Sequence, residues 1–144
     1  MSDANVELLK RAWAAFGSGD EEAFAACLTP DWCEHGTDND GVGRLDDERE
    51  AMRAHRVAFP DMRAEIHQIV ADDTTVACYC TVRGTHTGRY FDLEPTGRTI
   101  VLREMMFNRV RDGRLCETWA MVDTPGFYEQ LTGRPAPQQL DNMT

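Results

Sequence analysis

Residues 98–123 read RTIVLREMMFNRVRDGRLCETWAMVD. Two long runs of β-branched, methionine and aromatic residues, Arg98 to Val110 and Arg114 to Asp123, flank Asp112-Gly113. Asp-Gly suits the positive-φ positions of a two-residue hairpin turn. The stretch therefore predicts two antiparallel strands with Arg111 opposite Arg114. Counting back sets Asn108 opposite Glu117, Met106 opposite Trp119, Glu104 opposite Met121 and Leu102 opposite Asp123. Side chains alternate across a strand, so these eight are expected on one face. The other face then carries Val101, Arg103, Met105 and Phe107 against Thr118, Ala120 and Val122. Both faces are substantially apolar, whereas a sheet with one wet face alternates more cleanly. Helices are expected to cover one face and a partner subunit the other, which makes the protein a homodimer or higher homo-oligomer.

Working outward, Met62 to Val70 and Thr74 to Thr85 add two more strands, joined by an Asp72-Asp73 turn. A loop from Thr87 to Gly97 leads into the hairpin. Before the strands, Asn5 to Leu28 carries apolar residues at helical spacing on two stripes: Val6, Leu9, Trp13 and Phe16, then Phe24, Cys27 and Leu28. Gly17-Ser18-Gly19-Asp20 splits them, with Ser18 or Asp20 as N-cap and Pro30 ending the second helix. Asp31 to Gly36 is short and mixed, and Asp38 to Gly43 reads as a loop. Leu45 to Phe59 forms a third helix whose turns are marked by Met52, His55, Arg56 and Phe59, while its Arg/Asp-rich remainder reads as a solvated face. Pro125-Gly126 stops the last strand, Phe127 to Leu131 suits a helical turn, and the tail from Arg134 is expected to be loose. Three helices followed by an antiparallel meander define an α+β domain with the helices on one face of the sheet.

The 144 residues fit one domain, and a 42% hydrophobic content sustains a core without staples. A net charge of −10 argues against nucleic-acid and anionic-membrane partners. The polar start and the lack of a long apolar run predict a cytoplasmic protein. Five cysteines, an odd number with no CxxC, read as reduced, mostly buried thiols; Cys78 and Cys80 share a strand face as small core residues, with a metal pair the alternative, and no His–Cys spacing resembles a structural zinc site. No phosphate loop, Ser–His nucleophile motif or HExxH is present.

The hairpin also carries the chemistry. Carboxylates on an apolar, covered surface are costly unless paired or protonated. Asp123 is expected diagonal to Glu104, close enough to share a proton. Burial and a like-charged neighbour would raise either pKa and create an acid or base that works near neutral pH. The competing readings are an Asn108–Glu117 structural hydrogen bond and Asp123 as a helix cap.

Several short motifs accompany this pattern: Ala14-Ala15-Phe16 with Gly19-Asp20, Phe59-Pro60-Asp61, Gly84-Thr85-His86-Thr87-Gly88, Pro95-Thr96-Gly97-Arg98, Arg109-Val110-Arg111-Asp112-Gly113-Arg114, and Gln130-Leu131-Thr132-Gly133. With Glu117, Trp119 and Asp123, and in this order, the chain resembles the SnoaL-like polyketide cyclases of the nuclear transport factor 2-like fold. The resemblance covers nearly the whole chain. It implies a cone-shaped curved antiparallel sheet packed against three N-terminal helices around an apolar cavity. It also implies cofactor-free intramolecular ring closure, with an aspartate near the end of the last long strand, here Asp123, moving the proton. Met106 and Thr118 stand where relatives carry histidines, so other chemistry stays open: isomerisation, dehydration, epoxide opening, or ligand binding without turnover.

The expected catalytic groups are Asp123, Glu104, His35 and His86, with His35 at the cavity mouth in this fold and His86 at a strand end. The expected substrate-binding groups are Trp32, Phe59, Met106, Asn108, Glu117, Trp119 and Met121. His55 reads as a helix-surface residue, with a pocket-facing place near Phe59 as the alternative, and His67 as structural. The function expected is an enzyme of polyketide or related secondary metabolism acting on a small apolar or aromatic substrate, with no cofactor.

Overall fold

The structure is a computed structural model that describes residues 2–36 and 42–135. Most of the expected 38–43 loop, and the expected loose tail apart from Arg134 and Pro135, lie outside the described residues. Helices α1 (Ser2–Ser18) and α2 (Glu21–Ala26) precede strands β1 (Leu28–His35) and β2 (Val42–Arg44). Then come helix α3 (Leu45–Ala58), strands β3 (Arg63–Ala71), β4 (Thr75–Thr85), β5 (Thr99–Arg111) and β6 (Arg114–Val122), and helix α4 (Thr124–Thr132). The six strands form one curled sheet in the order β2-β1-β6-β5-β4-β3.

Local chemistry explains the boundaries. Asp20 caps α2 by accepting from the Ala23 N–H, as one of the two N-cap alternatives required. Gly88 is packed so closely beneath the end of α3 that a Cβ there would fall 1.9 Å from the Val57 carbonyl oxygen. The Thr87 and Gly88 N–H groups both donate to the Ala58 carbonyl, which pins the 87–98 loop to the end of α3. No helix among the described residues is long and apolar enough to cross a membrane.

Two expectations about strands are corrected. Residues 28–35 form a strand where the end of the second helix and, from Asp31, a mixed segment were expected, and Pro30 lies within it. This strand runs parallel to β6, so the sheet is not a pure antiparallel meander. The second correction concerns register. Asp112 and Gly113 adopt φ of 53° and 74°, and Arg111 pairs with Arg114 as expected. Val110 then faces Leu115, but Arg109 faces Glu117, leaving Cys116 as the extra residue of a β-bulge. Beyond it, Asn108 faces Thr118, Met106 faces Ala120 and Glu104 faces Val122. The eight-residue face therefore divides, because one inserted residue moves every later β6 side chain to the other side.

Leu102, Met106 and Asn108 are buried with Thr118 and Ala120 on the helix-covered face. Met105, Phe107, Trp119 and Met121 project outward, exposed by 62%, 62%, 38% and 69%. The core runs from Leu8, Leu9 and Trp13 of α1 through Phe24 and Trp32 to Leu131 of α4. All five cysteines are free thiols; Cys33 is half-buried and the other four are buried.

Candidate functional site

Helices α1, α3 and α4 and the inner face of the sheet enclose a cavity of about 420 Å³. That lies within the roughly 300–1,000 Å³ of small-molecule sites. Most of its lining is apolar: Trp13 and Phe16 from α1, Trp32 from β1, Leu102 and Met106 from β5, and Phe127 from α4. Trp13 and Phe16, both in this lining, stack on each other with ring centroids 5.1 Å apart.

Three carboxyl groups line this apolar space: Glu34, Glu48 and Glu104. Each arrives by the periodicity of its element. Glu34 follows Trp32 by two residues on β1, and its partner Thr118 belongs to the inner face. Glu104 alternates with Leu102 and Met106 on β5. Glu48 lies one helical turn before Met52 and two before His55, on the cavity-facing stripe of α3; like Glu34 and Glu104 it is half-buried at the surface of the cavity. Burial is the main cause that raises all three pKa values. Glu104 is pushed up to about 7, with the charge on Glu34 adding to the shift. Glu48 is pushed up to about 8, with repulsion from Glu34, Glu104 and Asp47 adding to it. Near neutral pH, Glu48 keeps its proton while Glu104 sits near its midpoint. Such a pair can give and accept a proton in one cavity.

The remaining polar lining divides into a fixed floor and a wall. The Trp32 indole N–H donates to Thr118 Oγ1 at 3.0 Å, and the Thr118 hydroxyl donates to Asn108 Oδ1 at 2.7 Å. Asn108 Nδ2 then donates to the Val76 carbonyl at 3.2 Å. This chain satisfies buried groups and rigidifies the floor. The wall holds His55 stacked on Tyr90, with Nε2 and the phenolic oxygen 3.4 Å apart. Burial lowers the pKa of His55 and raises that of Tyr90, so both stay neutral.

The expected site residues separate into three groups. Glu104, Trp32, Met106 and Asn108 line the cavity. His35, Glu117, Trp119 and Met121 lie on the opposite face, contrary to expectation. On β1 the inward positions belong to Trp32 and Glu34, and on β6 the bulge reverses the faces. His35 Nε2 pairs with Glu117 at 2.9 Å, and Glu117 also binds Arg109 at 3.1 Å. The expected Asn108–Glu117 hydrogen bond is thereby replaced on both sides.

The third group is core or surface. Phe59 is buried beside Phe127 and Tyr90 rather than facing the cavity. His86, expected as a catalytic group, is fully buried and outside the cavity lining; its Nδ1 accepts from the Thr96 N–H at 3.2 Å, which ties the strand end to the following loop. Asp123 does not lie diagonal to Glu104 inside the cavity. It is exposed, and its carboxylate accepts from the Gly126 N–H as the N-cap of α4. Its neighbours Val122 and Thr124 line the cavity.

Glu34, Glu48 and His55 were not among the expected site residues. A signal for Glu48 existed: extending the stripe of Met52, His55 and Phe59 back by four residues lands on it.

A curled sheet folded with helices around an apolar cavity is the architecture of the nuclear transport factor 2-like proteins. Residues 7–131 match the sequence profile of the SnoaL-like polyketide cyclases, and the chain belongs to that family. Among solved structures, it is similar to IdmH of Streptomyces antibioticus, named as a candidate polyketide cyclase. That match has 29% identity and a TM-score of 0.77, covering 88% of this chain and 96% of the other. AclR of Streptomyces galilaeus, named as a candidate hydroxylase, shares the fold at 23% identity and TM-score 0.82, over 98% and 88% of the two chains. TsrD of Streptomyces laurentii does so at 21% identity and TM-score 0.79, over 92% and 97%. No curated protein matches the sequence.

Proposed function

We propose that the protein is a cyclase-type enzyme that moves protons on a small apolar or aromatic polycarbonyl substrate held in the cavity, with Glu104 and Glu48 as the working groups. The observation that carries this reading is the placement of both carboxyls in apolar lining, with pKa values raised to about 7 and about 8. The ionised Glu104 removes a proton from a carbon flanked by carbonyls. The resulting enolate carbon attacks a second carbonyl of the same molecule, forming the ring bond. Protonated Glu48 delivers its proton to the new alkoxide, and proton exchange between the two carboxyls restores the starting state. The aromatic and aliphatic lining suits an apolar substrate, and confinement supplies much of the rate by positioning. Membership of the cyclase family and the likeness to IdmH support ring closure as the reaction. Isomerisation, dehydration and epoxide opening use the same proton inventory and are the second reading.

Asp123 takes a different part here from the one the resemblance implies. Its carboxylate is engaged at the start of α4 on the surface, which supports a capping role. The outer face of the hairpin supports a homo-oligomer. Met105, Phe107, Trp119 and Met121 form an exposed apolar patch on neighbouring strands, of a kind that marks association surfaces. A second copy of the chain is the partner proposed, through an isologous contact of this face with itself.

The test is turnover of a linear polycarbonyl substrate by wild type, Glu104→Gln and Asp123→Asn. The reading expects Glu104→Gln to lose about 10²–10⁴-fold, the usual weight of general acid–base catalysis, with Asp123→Asn within a few fold of wild type. Loss in Asp123→Asn with full activity in Glu104→Gln would overturn the assignment.

A further inference from the structure

A second cluster lies outside the cavity, on the outer face where β1 runs beside β6. Cys33 and His35 share that face of β1 as i and i+2, and the parallel register sets Cys33 opposite Glu117. Cys33 Sγ lies 3.9 Å from His35 Nε2, and His35 Nε2 lies 2.9 Å from Glu117 Oε2. All three ligand atoms fall within 4.8 Å of one another, and all three residues are half-buried.

We infer that Cys33, His35 and Glu117 form a zinc-binding site with a fourth position open to water or a small ligand. Tetrahedral zinc takes bonds of about 2.3 Å to sulfur and about 2.0–2.1 Å to nitrogen or oxygen, which sets ligand atoms roughly 3.3–3.6 Å apart. The observed 3.9 and 2.9 Å bracket that spacing and the Cys33–Glu117 pair lies within 4.8 Å, so side-chain adjustment brings the three ligands to it. A thiolate, an imidazole and a carboxylate select zinc over magnesium or calcium, which prefer oxygen alone.

The surroundings hold the ligands in place. The His35 ring stacks on Trp119 with centroids 5.2 Å apart, which fixes the direction of Nε2. Arg109 binds the other Glu117 oxygen, Oε1, at 3.1 Å and lies 5.1 Å from the Trp119 ring centroid. Oε2 is thus left for a metal, and Arg109 supplies the outer hydrogen bond that ligating carboxylates usually have. The metal would enter where His35 Nε2 and Glu117 Oε2 meet. Binding deprotonates the Cys33 thiol, releases one proton to solvent and links β1 to β6. This site is independent of the proton-transfer reading of the cavity.

The test uses metal-stripped full-length protein titrated with Zn²⁺ against a chromophoric chelator, and with Co²⁺ while absorbance is read. One equivalent is expected to bind at micromolar metal, with a cobalt–thiolate charge-transfer band that Cys33→Ser abolishes. His35→Gln and Glu117→Gln are each expected to weaken Zn²⁺ binding by about tenfold or more, at least the loss seen for outer-shell partners. Zinc is also expected to slow alkylation of Cys33 in the wild-type protein, a readout that needs no variant to fold. Absence of binding at micromolar metal would overturn the proposal. So would equal affinity and spectrum in folded Cys33→Ser, or alkylation of Cys33 unchanged by zinc.

Discussion

Replacing Glu104 by Gln removes a carboxyl that folding makes harder to ionise, and the structure sets the size of the effect. Its pKa moves from 4.5 to about 7 on burial. A carboxyl with a raised folded pKa holds its proton more tightly in the folded chain. Its contribution therefore favours folding below the unfolded pKa, and stability is lost as pH rises from that value to the folded one. Over such a shift the cost is about 3 kcal/mol at pH ~8 and only about 1 kcal/mol at pH ~5. Glutamine keeps the shape and never ionises, so Glu104→Gln is expected to stabilise the protein by those amounts. Repulsion on Glu48 is relieved as well, which adds in the same direction. Urea unfolding followed by circular dichroism reads the difference, with a midpoint about 1–2 M higher than wild type at the alkaline end. A variant that is less stable than wild type at alkaline pH, or equally displaced at both pH values, would refute the buried-carboxyl reasoning.

Two further outcomes follow from placements in the fold. Asp123→Ala removes the α4 cap and is expected to cost about 1 kcal/mol in thermal or urea unfolding, while Asp123→Asn keeps a capping oxygen and costs only a few tenths. Phe107→Asp with Met121→Lys on the outer face is expected to convert the oligomer to monomer in size-exclusion chromatography and leave the unfolding transition cooperative; a wild-type protein that is already monomeric would remove that proposal.

Much of the fold was legible because its signals are local. The Gly17 to Asp20 break, the stripe of α3 and the Asp112-Gly113 turn each specify an element from a few neighbouring residues. The register of the hairpin was not legible beyond the turn. The bulge at Cys116 lies where β6 also pairs with β1, a strand distant in sequence, and nothing in the Leu115-Cys116-Glu117 tripeptide announces it. That one residue decided the site, because it sent Glu117, Trp119 and Met121 outward and brought Thr118, Ala120 and Val122 in. Glu104 was placed correctly because it belongs to β5, whose alternation carries no such shift.

The missed carboxyls illustrate a different limit. Composition made the Arg/Asp-rich α3 look solvated throughout. Arg49 and Arg53 do face outward, where they pair with Glu22 and Glu21. Glu48 sits among the same charges in sequence but on the Met52 stripe in space. Residues 31–36 looked mixed because Trp32 and Glu34 alternate with Cys33 and His35, as in a short strand with one face inward. The resemblance to the cyclases identified the architecture, while the position of the working carboxyls followed from the faces.

The central claim is that Glu104 and Glu48 titrate near neutrality inside the cavity. Carbon-13 NMR of the glutamate side-chain carboxyls across a pH titration measures this directly, with Glu104→Gln and Glu48→Gln supplying the assignments. The account expects midpoints of about 7 for Glu104 and about 8 for Glu48. Midpoints for both near the ordinary glutamate value of about 4.3 would contradict it.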